Sequence, residues 1–370
     1  MKDGTKSYAI FWRVVLFGLL ASILANMYQV AFAPIDNSFP FIPRYLLFQF
    51  LFSYQDLGFT RRSLIGTFLD FPNDTGFAWQ IYIWCAAQYG ALLVAMAYWL
   101  NRYRDPGLAW IVILSPATFL QLGFDYGRLD ALLILVTGLC LMSSNRWTIA
   151  ALPVMVMIHE GSIVMFGPLL VVSHFFRHGM TPALLGSVAA SLILILWFAQ
   201  NAQVLDRPIY ELYTFLPDAT EVLRLSFAEN RSRVIAHYRD TWELMVQVPF
   251  FLALHLIALV YVVAVLLYAA RRLQPGVRRV VLLAACCAPL LLTPLGADIG
   301  RWGAMTIFNL FLLIMAERRW AGETRAQHMT YLPPIRSAIL ILLFLSGPLA
   351  YGRPFPFARR LLVHIHLSAQ

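Results

Sequence analysis

Charge is what this 370-residue sequence has least of: Asp, Glu, Lys and Arg make up 13% of it, about half the share found in soluble domains. Lysine is almost missing, and the positive charge rests on 26 Arg against 2 Lys. The four cysteines, Cys85, Cys140, Cys286 and Cys287, all fall inside apolar stretches and show neither a metal-ligand spacing nor a secreted disulfide framework. They read as helix-packing residues. No low-complexity segment or hydrophilic insertion of domain size interrupts the chain, and its longest polar stretch runs from 200 to 248. These absences exclude a disordered protein, a disulfide-knit module and a water-soluble enzyme with a membrane tail.

What is abundant is apolar surface: 60% hydrophobic and 14% aromatic residues, with a mean hydropathy of +0.69, in runs that recur from residue 8 to residue 350. The expected class is an all-α polytopic membrane protein forming one integral domain over 1–370. A net charge of +9 would suggest nucleic acid as partner in a soluble protein. Here loop arginine orients the spans instead, and no nucleic acid is expected. The basic N-terminal flank (Lys2, Lys6, Arg13) and the run ending in Ala31-Phe32-Ala33 resemble a signal peptide, but Pro34 and the length of the run favour an uncleaved first span.

A spanning helix needs about 20 apolar residues. Segments 10–33, 79–100 and 249–270 meet that length plainly, with 181–199 close behind. Segments 107–122, 129–142, 148–158, 161–176, 280–296 and 303–316 are shorter and come in pairs, each pair interrupted by a charged motif. The motifs are Phe124-Asp125-Tyr126-Gly127-Arg128-Leu129-Asp130, Ile158-His159-Glu160-Gly161 and Ala297-Asp298-Ile299-Gly300-Arg301-Trp302. Reading 148–176 as two short helices rather than one span keeps the loop of Arg271, Arg272, Arg278 and Arg279 on the cytoplasmic side. With a final span at 337–351, the total is about eleven, N-terminus inside, in the cytoplasmic membrane. That topology places 15 basic residues and four acids inside, and the other 15 acids outside. The first outer loop (34–78), the three motifs and the second large outer loop (200–248) then share the outer face, where short paired helices surround an outward-facing cleft. The tail 352–370 is amphipathic enough to lie on a surface.

Ionisable groups at membrane depth are costly and mark candidate sites. Asp125-Tyr126-Gly127-Arg128 and Asp298-Ile299-Gly300-Arg301 repeat the pattern D-x-G-R, where glycine permits a tight turn and the Asp and Arg can neutralise each other. In the first outer loop, Phe59, Leu64, Ile65, Phe68 and Leu69 recur at helical spacing, so 59–69 is expected to be an interfacial helix. Arg61 and Arg62 would sit at its first turn, adjacent guanidiniums suited to phosphate or to lipid headgroups. His159-Glu160 is no metalloprotease signature, since H-E-x-x-H needs His where Ile163 stands. No metal-ligand motif occurs, and no cofactor is named. The aromatics of 200–248 suit an interfacial belt as well as sugar stacking.

An outer loop with an acid after the first span, an amphipathic juxtamembrane helix and short helix pairs around an outward cavity resemble the GT-C superfamily of membrane-integral glycosyltransferases. The resemblance implies a sugar donor carried on a polyprenyl phosphate, an acceptor that is a glycan, lipid or protein, and Asp56 as catalytic base, with Asp36 the other early acid. Arg61, Arg62, Arg128 and Arg301 would then hold the donor phosphate, with Asp125 and Asp298 beside them. His159 and Glu160 would orient the acceptor, share a divalent metal or act as an acid/base pair. The alternatives are a polysaccharide polymerase or other lipid-linked glycan or acyl-modifying enzyme, and a transporter of an anionic solute built on broken helices.

Overall fold

The computed structural model describes residues 9–32, 50, 53, 54, 59, 62–69, 77–103, 105–200, 231–293, 298–321, 334–350 and 354–368. Among these the chain is helical throughout, with no strand. Six helical stretches are long and apolar enough to cross a membrane: Ala9–Gln29, Trp79–Tyr103, Pro106–Phe124, Pro182–Gln200, Pro249–Arg272 and Ile299–Trp320. Shorter apolar helices lie between them. The protein is a multi-pass, all-helical membrane protein.

The chain divides into two compact units, each gathered from separated stretches. The first comprises Met1–Gln29, Ala91–Asp125 and Ser232–Gln370. Its helices are α1 (Ala9–Phe32), the second half of α3 (Phe77–Tyr103), α4 (Pro106–Leu114), α5 (Phe119–Phe124), α11 (Arg231–Gln247), α12 (Pro249–Arg272), α13 (Val277–Cys286), α14 (Ile299–Trp320), α15 (Pro334–Ser346) and α16 (Pro356–Ser368). The second comprises Val30–Gly90 and Tyr126–Arg231. It holds α2 (Leu64–Leu69), the first half of α3, α6 (Asp130–Met142), α7 (Ala151–Ile158), α8 (Ser162–Met165), α9 (Gly167–His178) and α10 (Pro182–Gln200).

In the first unit α14 is the buried element. Its side chains from Arg301 to Ala316 are all buried, whereas only 22% of the apolar window of α12 is. Leu256, Leu259, Val260, Val263 and Leu267 of α12 are exposed, a stripe that water would not tolerate but lipid does. At 22 residues, α14 is about 33 Å long, close to the thickness of a hydrocarbon core. It is one continuous helix, longer than the expected 303–316 segment. The 107–122 segment, by contrast, breaks. Ser115, just before Pro116, is held in extended backbone (φ −67°, ψ 127°) because a proline disfavours helix in the residue ahead of it. The Thr118 hydroxyl satisfies the Val112 carbonyl left over at the break (2.5 Å), and Tyr261 donates to the Ser115 hydroxyl (2.7 Å). In α1, the Ser22 hydroxyl donates to the Phe119 carbonyl (2.8 Å), tying the first span to α5.

In the second unit α7 packs on α10, α6 and α2. Helix α10 turns Leu185, Leu192, Ile193, Leu196 and Trp197 outward, again a lipid-facing stripe. Arg177 at the end of α9 donates to the Ser143 carbonyl (2.6 Å), fastening α9 to the end of α6. Part of the polar stretch 200–248 is α11, an amphipathic helix.

Candidate functional site

In the second unit the structure joins Arg62, in the segment after the first span, to Glu160 of the His159-Glu160 motif, 98 residues further along. Helix α7 stops at Ile158 because His159 is extended (φ −157°, ψ 117°). The chain turns through Glu160 and Gly161 and re-enters helix at Ser162, whose N–H bonds back to the His159 carbonyl (2.9 Å). This is the interrupted pair expected from the sequence, with the break at the charged motif. The Glu160 carboxylate takes a two-pronged contact from Arg62: Nε donates to Oε2 at 2.9 Å and Nη2 to Oε1 at 2.5 Å. Fork-on-fork geometry of this kind gives the strongest and most directional arginine–carboxylate pairing.

The Gly161 N–H donates to His159 Nδ1 at 3.0 Å. A backbone amide can only donate, so Nδ1 is the acceptor in this contact. The same nitrogen lies 3.7 Å from Glu160 Oε2. Glu160 takes its guanidinium contact from Arg62. Arg62, Glu160 and His159 are only partly covered, at 25%, 19% and 12% side-chain exposure.

Arg62 itself lies in left-handed backbone (φ 63°), a region a non-glycine residue enters at a cost of roughly 1–2 kcal/mol. That conformation corrects the expected helix over 59–69: α2 begins only at Leu64. Ser63 starts it, its carbonyl accepting from the Thr67 N–H and hydroxyl at 3.0 and 2.6 Å. Arg62 thus precedes the helix instead of forming its first turn. Within α2, Ile65 is buried and Phe68 exposed, although the helical spacing put both on one apolar face. Asp56, Arg61 and Asp36 lie outside the described residues. Arg128 is half-buried in this same unit.

The first unit holds Asp125 and the Asp298–Arg301 motif. Asp125 is buried and accepts from Gln121 Nε2 at 2.6 Å, while Gln121 Oε1 accepts from the Ala350 N–H at 2.8 Å. Asp298 and Arg301 pair at 3.3 Å, the mutual neutralisation foreseen for D-x-G-R. The two glycines of the repeat do different work. Gly127 sits at φ 99° and serves the turn as expected. Gly300 lies inside α14, and a Cβ there would overlap the carbonyl oxygens of Leu349 and Ala350; it is required for close approach, not for a turn. Ala350 is left-handed (φ 49°). One strained residue therefore links Asp125, through Gln121, to the helix that carries Arg301. From α11, Tyr238 donates to the Thr293 carbonyl. Burial first, and the Asp298 carboxylate second, hold its phenol above the ordinary value, so it stays a neutral donor.

A third charged group had no place in the site read from the sequence. Asp105 is 1% exposed. Its Oδ1 caps the Leu108 N–H at 2.9 Å, and its Oδ2 accepts from Arg318 at 2.6 Å and Arg272 at 3.2 Å. Asp-Pro at the start of an apolar run was the available signal, since it marks a helix N-cap. Nothing local announces the two arginines, 167 and 213 positions away. Among the described residues no three His, Cys, Asp or Glu side chains gather closely enough to hold a metal. No protein family, curated protein or solved structure matches this chain.

Proposed function

We propose that this protein is a membrane-integral glycosyltransferase that moves a sugar from a lipid-phosphate-linked donor to an acceptor at the outer face of the cytoplasmic membrane. The observation that carries the reading is the partly exposed Arg62–Glu160 fork beside His159, at a helix break of a membrane protein. Transfer breaks the bond from the anomeric carbon to the phosphate oxygen and forms one from that carbon to the acceptor oxygen. The acceptor proton needs a base, and the departing phosphate needs a cation. Glu160 is a carboxylate in reach of such a proton, and Arg62 is a guanidinium in reach of such a phosphate. Asp56 remains the base that the superfamily resemblance would assign, with Arg61 beside Arg62 in sequence and Arg128 as a further phosphate ligand.

Helix α14 supports this orientation. Its C-terminal end meets Arg272, Arg278 and Arg318, and its other end, about 33 Å away by helical rise, carries Asp298 and Arg301. The arginine-rich end belongs inside, which turns the second D-x-G-R outward. The same fork also fits an anion transporter, in which Arg62 would trade Glu160 for the solute.

The test uses purified protein in lipid vesicles with polyprenyl-phosphate sugars as donors. Transfer to a glycan or lipid acceptor is expected, and Glu160→Gln should lower it at least 100-fold while leaving protein yield unchanged. Absence of sugar transfer together with anion flux across the vesicles would establish the transporter instead. Full activity in Glu160→Gln would remove Glu160 as the base.

A further inference from the structure

We propose that the arginine-rich end of the first unit is a binding site for the phosphodiester headgroups of anionic lipids. The C-terminal ends of α3, α12 and α14 and the N-terminal ends of α4 and α13 converge there. Asp105 joins Arg272 and Arg318, Arg278 reaches Glu317 at 2.5 Å, and Arg279 donates to the Ala270 carbonyl at 3.2 Å. The two carboxylates engage Arg272, Arg278 and Arg318. Among the described residues no carboxylate pairs with Arg102, Arg271, Arg279 or Arg319. Arg102, Arg271 and Arg319 are exposed and Arg279 is half-buried. Four guanidiniums thus surround a core whose two carboxylates offset two of its three arginines.

Two observations select a lipid headgroup over a free anion. The first is depth: α12 and α14, at 24 and 22 residues, are long enough for their ends to reach the headgroup layer. Aromatic rings stand at that level under the arginines, Trp320 below Arg278 at 5.8 Å and Tyr268 below Arg272 at 5.0 Å, as in an interfacial belt. The second is apolar company. Val277 and Val280, flanking Arg278 and Arg279 in α13, are 79% and 63% exposed. A free phosphate gains nothing from exposed valines, whereas a lipid covers them with its acyl chains while its phosphate meets the guanidiniums.

Detergent-purified protein would be mixed with phosphatidylglycerol and phosphatidylcholine, and retained lipid counted by native mass spectrometry. A basic residue near a surface changes anionic-lipid affinity roughly fivefold, so the triple variant R271Q/R279Q/R319Q should lose on the order of a hundredfold in preference for phosphatidylglycerol. R239Q/R359Q/R360Q, which removes equal charge from the other end of the unit, should keep the preference. Unchanged preference in the first variant overturns the site, as does equal loss in the second, which would reduce the effect to net charge. Displacement by inorganic phosphate, or by an acidic peptide in place of lipid, would also overturn it. Should the triple variant fail gel filtration, the three single variants carry the test: each is expected to lose roughly fivefold, and no loss in any of them rejects the proposal.

Discussion

Asp105 and Glu160 are both carboxylates held by arginine, and they differ in almost everything else. Asp105 is 1% exposed, meets two guanidiniums and caps a helix with its other oxygen. Glu160 is 19% exposed and, among the described residues, takes a guanidinium contact from Arg62, whose own backbone is left-handed. The first arrangement leaves a ligand little to gain: its lone pairs are filled and the helix end depends on them. The second is open to exchange, because a phosphate can replace the carboxylate on the same fork without breaking a helix. Burial and number of partners, more than the presence of charge at membrane depth, separate a structural pair from a candidate site.

The comparison is most exposed to failure at Asp105. Asp105→Asn should cost about 3 kcal/mol, the low end for breaking a buried pair, since both arginines keep some solvent; thermal unfolding in detergent measures it. A variant as stable as the parent would put Asp105 in the same class as Glu160. Next comes Gly300→Ala, where the added methyl meets backbone that cannot swing aside, for a loss of about 2 kcal/mol. If that variant is neutral, the Asp298 end of α14 is loosely packed and its charges join the exchangeable class. Arg62→Gly should be more stable than Arg62→Ala by about 1 kcal/mol, because only glycine adopts its φ without strain; equal stability would mean that the turn relaxes once the guanidinium is gone. The smallest effect is expected at the exposed Arg239–Glu243 contact of α11, at 3.9 Å with 70% and 57% exposure. Glu243→Gln should shift stability by less than about 0.5 kcal/mol, and a larger loss would show that exposure is the wrong criterion.

Much of the helical plan was legible because lipid imposes length and composition on spans. The first, second, fourth and fifth of the long spans and the break at His159 all follow from apolar runs and their interruptions. Less legible were the places where one residue's neighbours decide. Proline at 116 splits a run that hydropathy alone joins, and α14 continues through Arg301 because that end is covered by Leu349 and Ala350. The candidate site was half readable. Arg62, His159 and Glu160 were each singled out as charged residues in an apolar chain, but no spacing rule pairs residues 62 and 160.

By itself the sequence determined that this is a helical membrane protein, since a chain with so little charge and so many apolar runs has nowhere else to bury its surface. It also determined which residues are too costly to be there by accident. Tertiary structure alone decided their partners: Arg62 with Glu160, Asp105 with Arg272 and Arg318, and Gly300 with the carbonyls of Leu349 and Ala350. The physical reason is range. Hydropathy and helix-breaking act over a few residues and can be read along the chain, whereas charge pairing and close backbone approach act over a few ångströms between segments far apart in sequence.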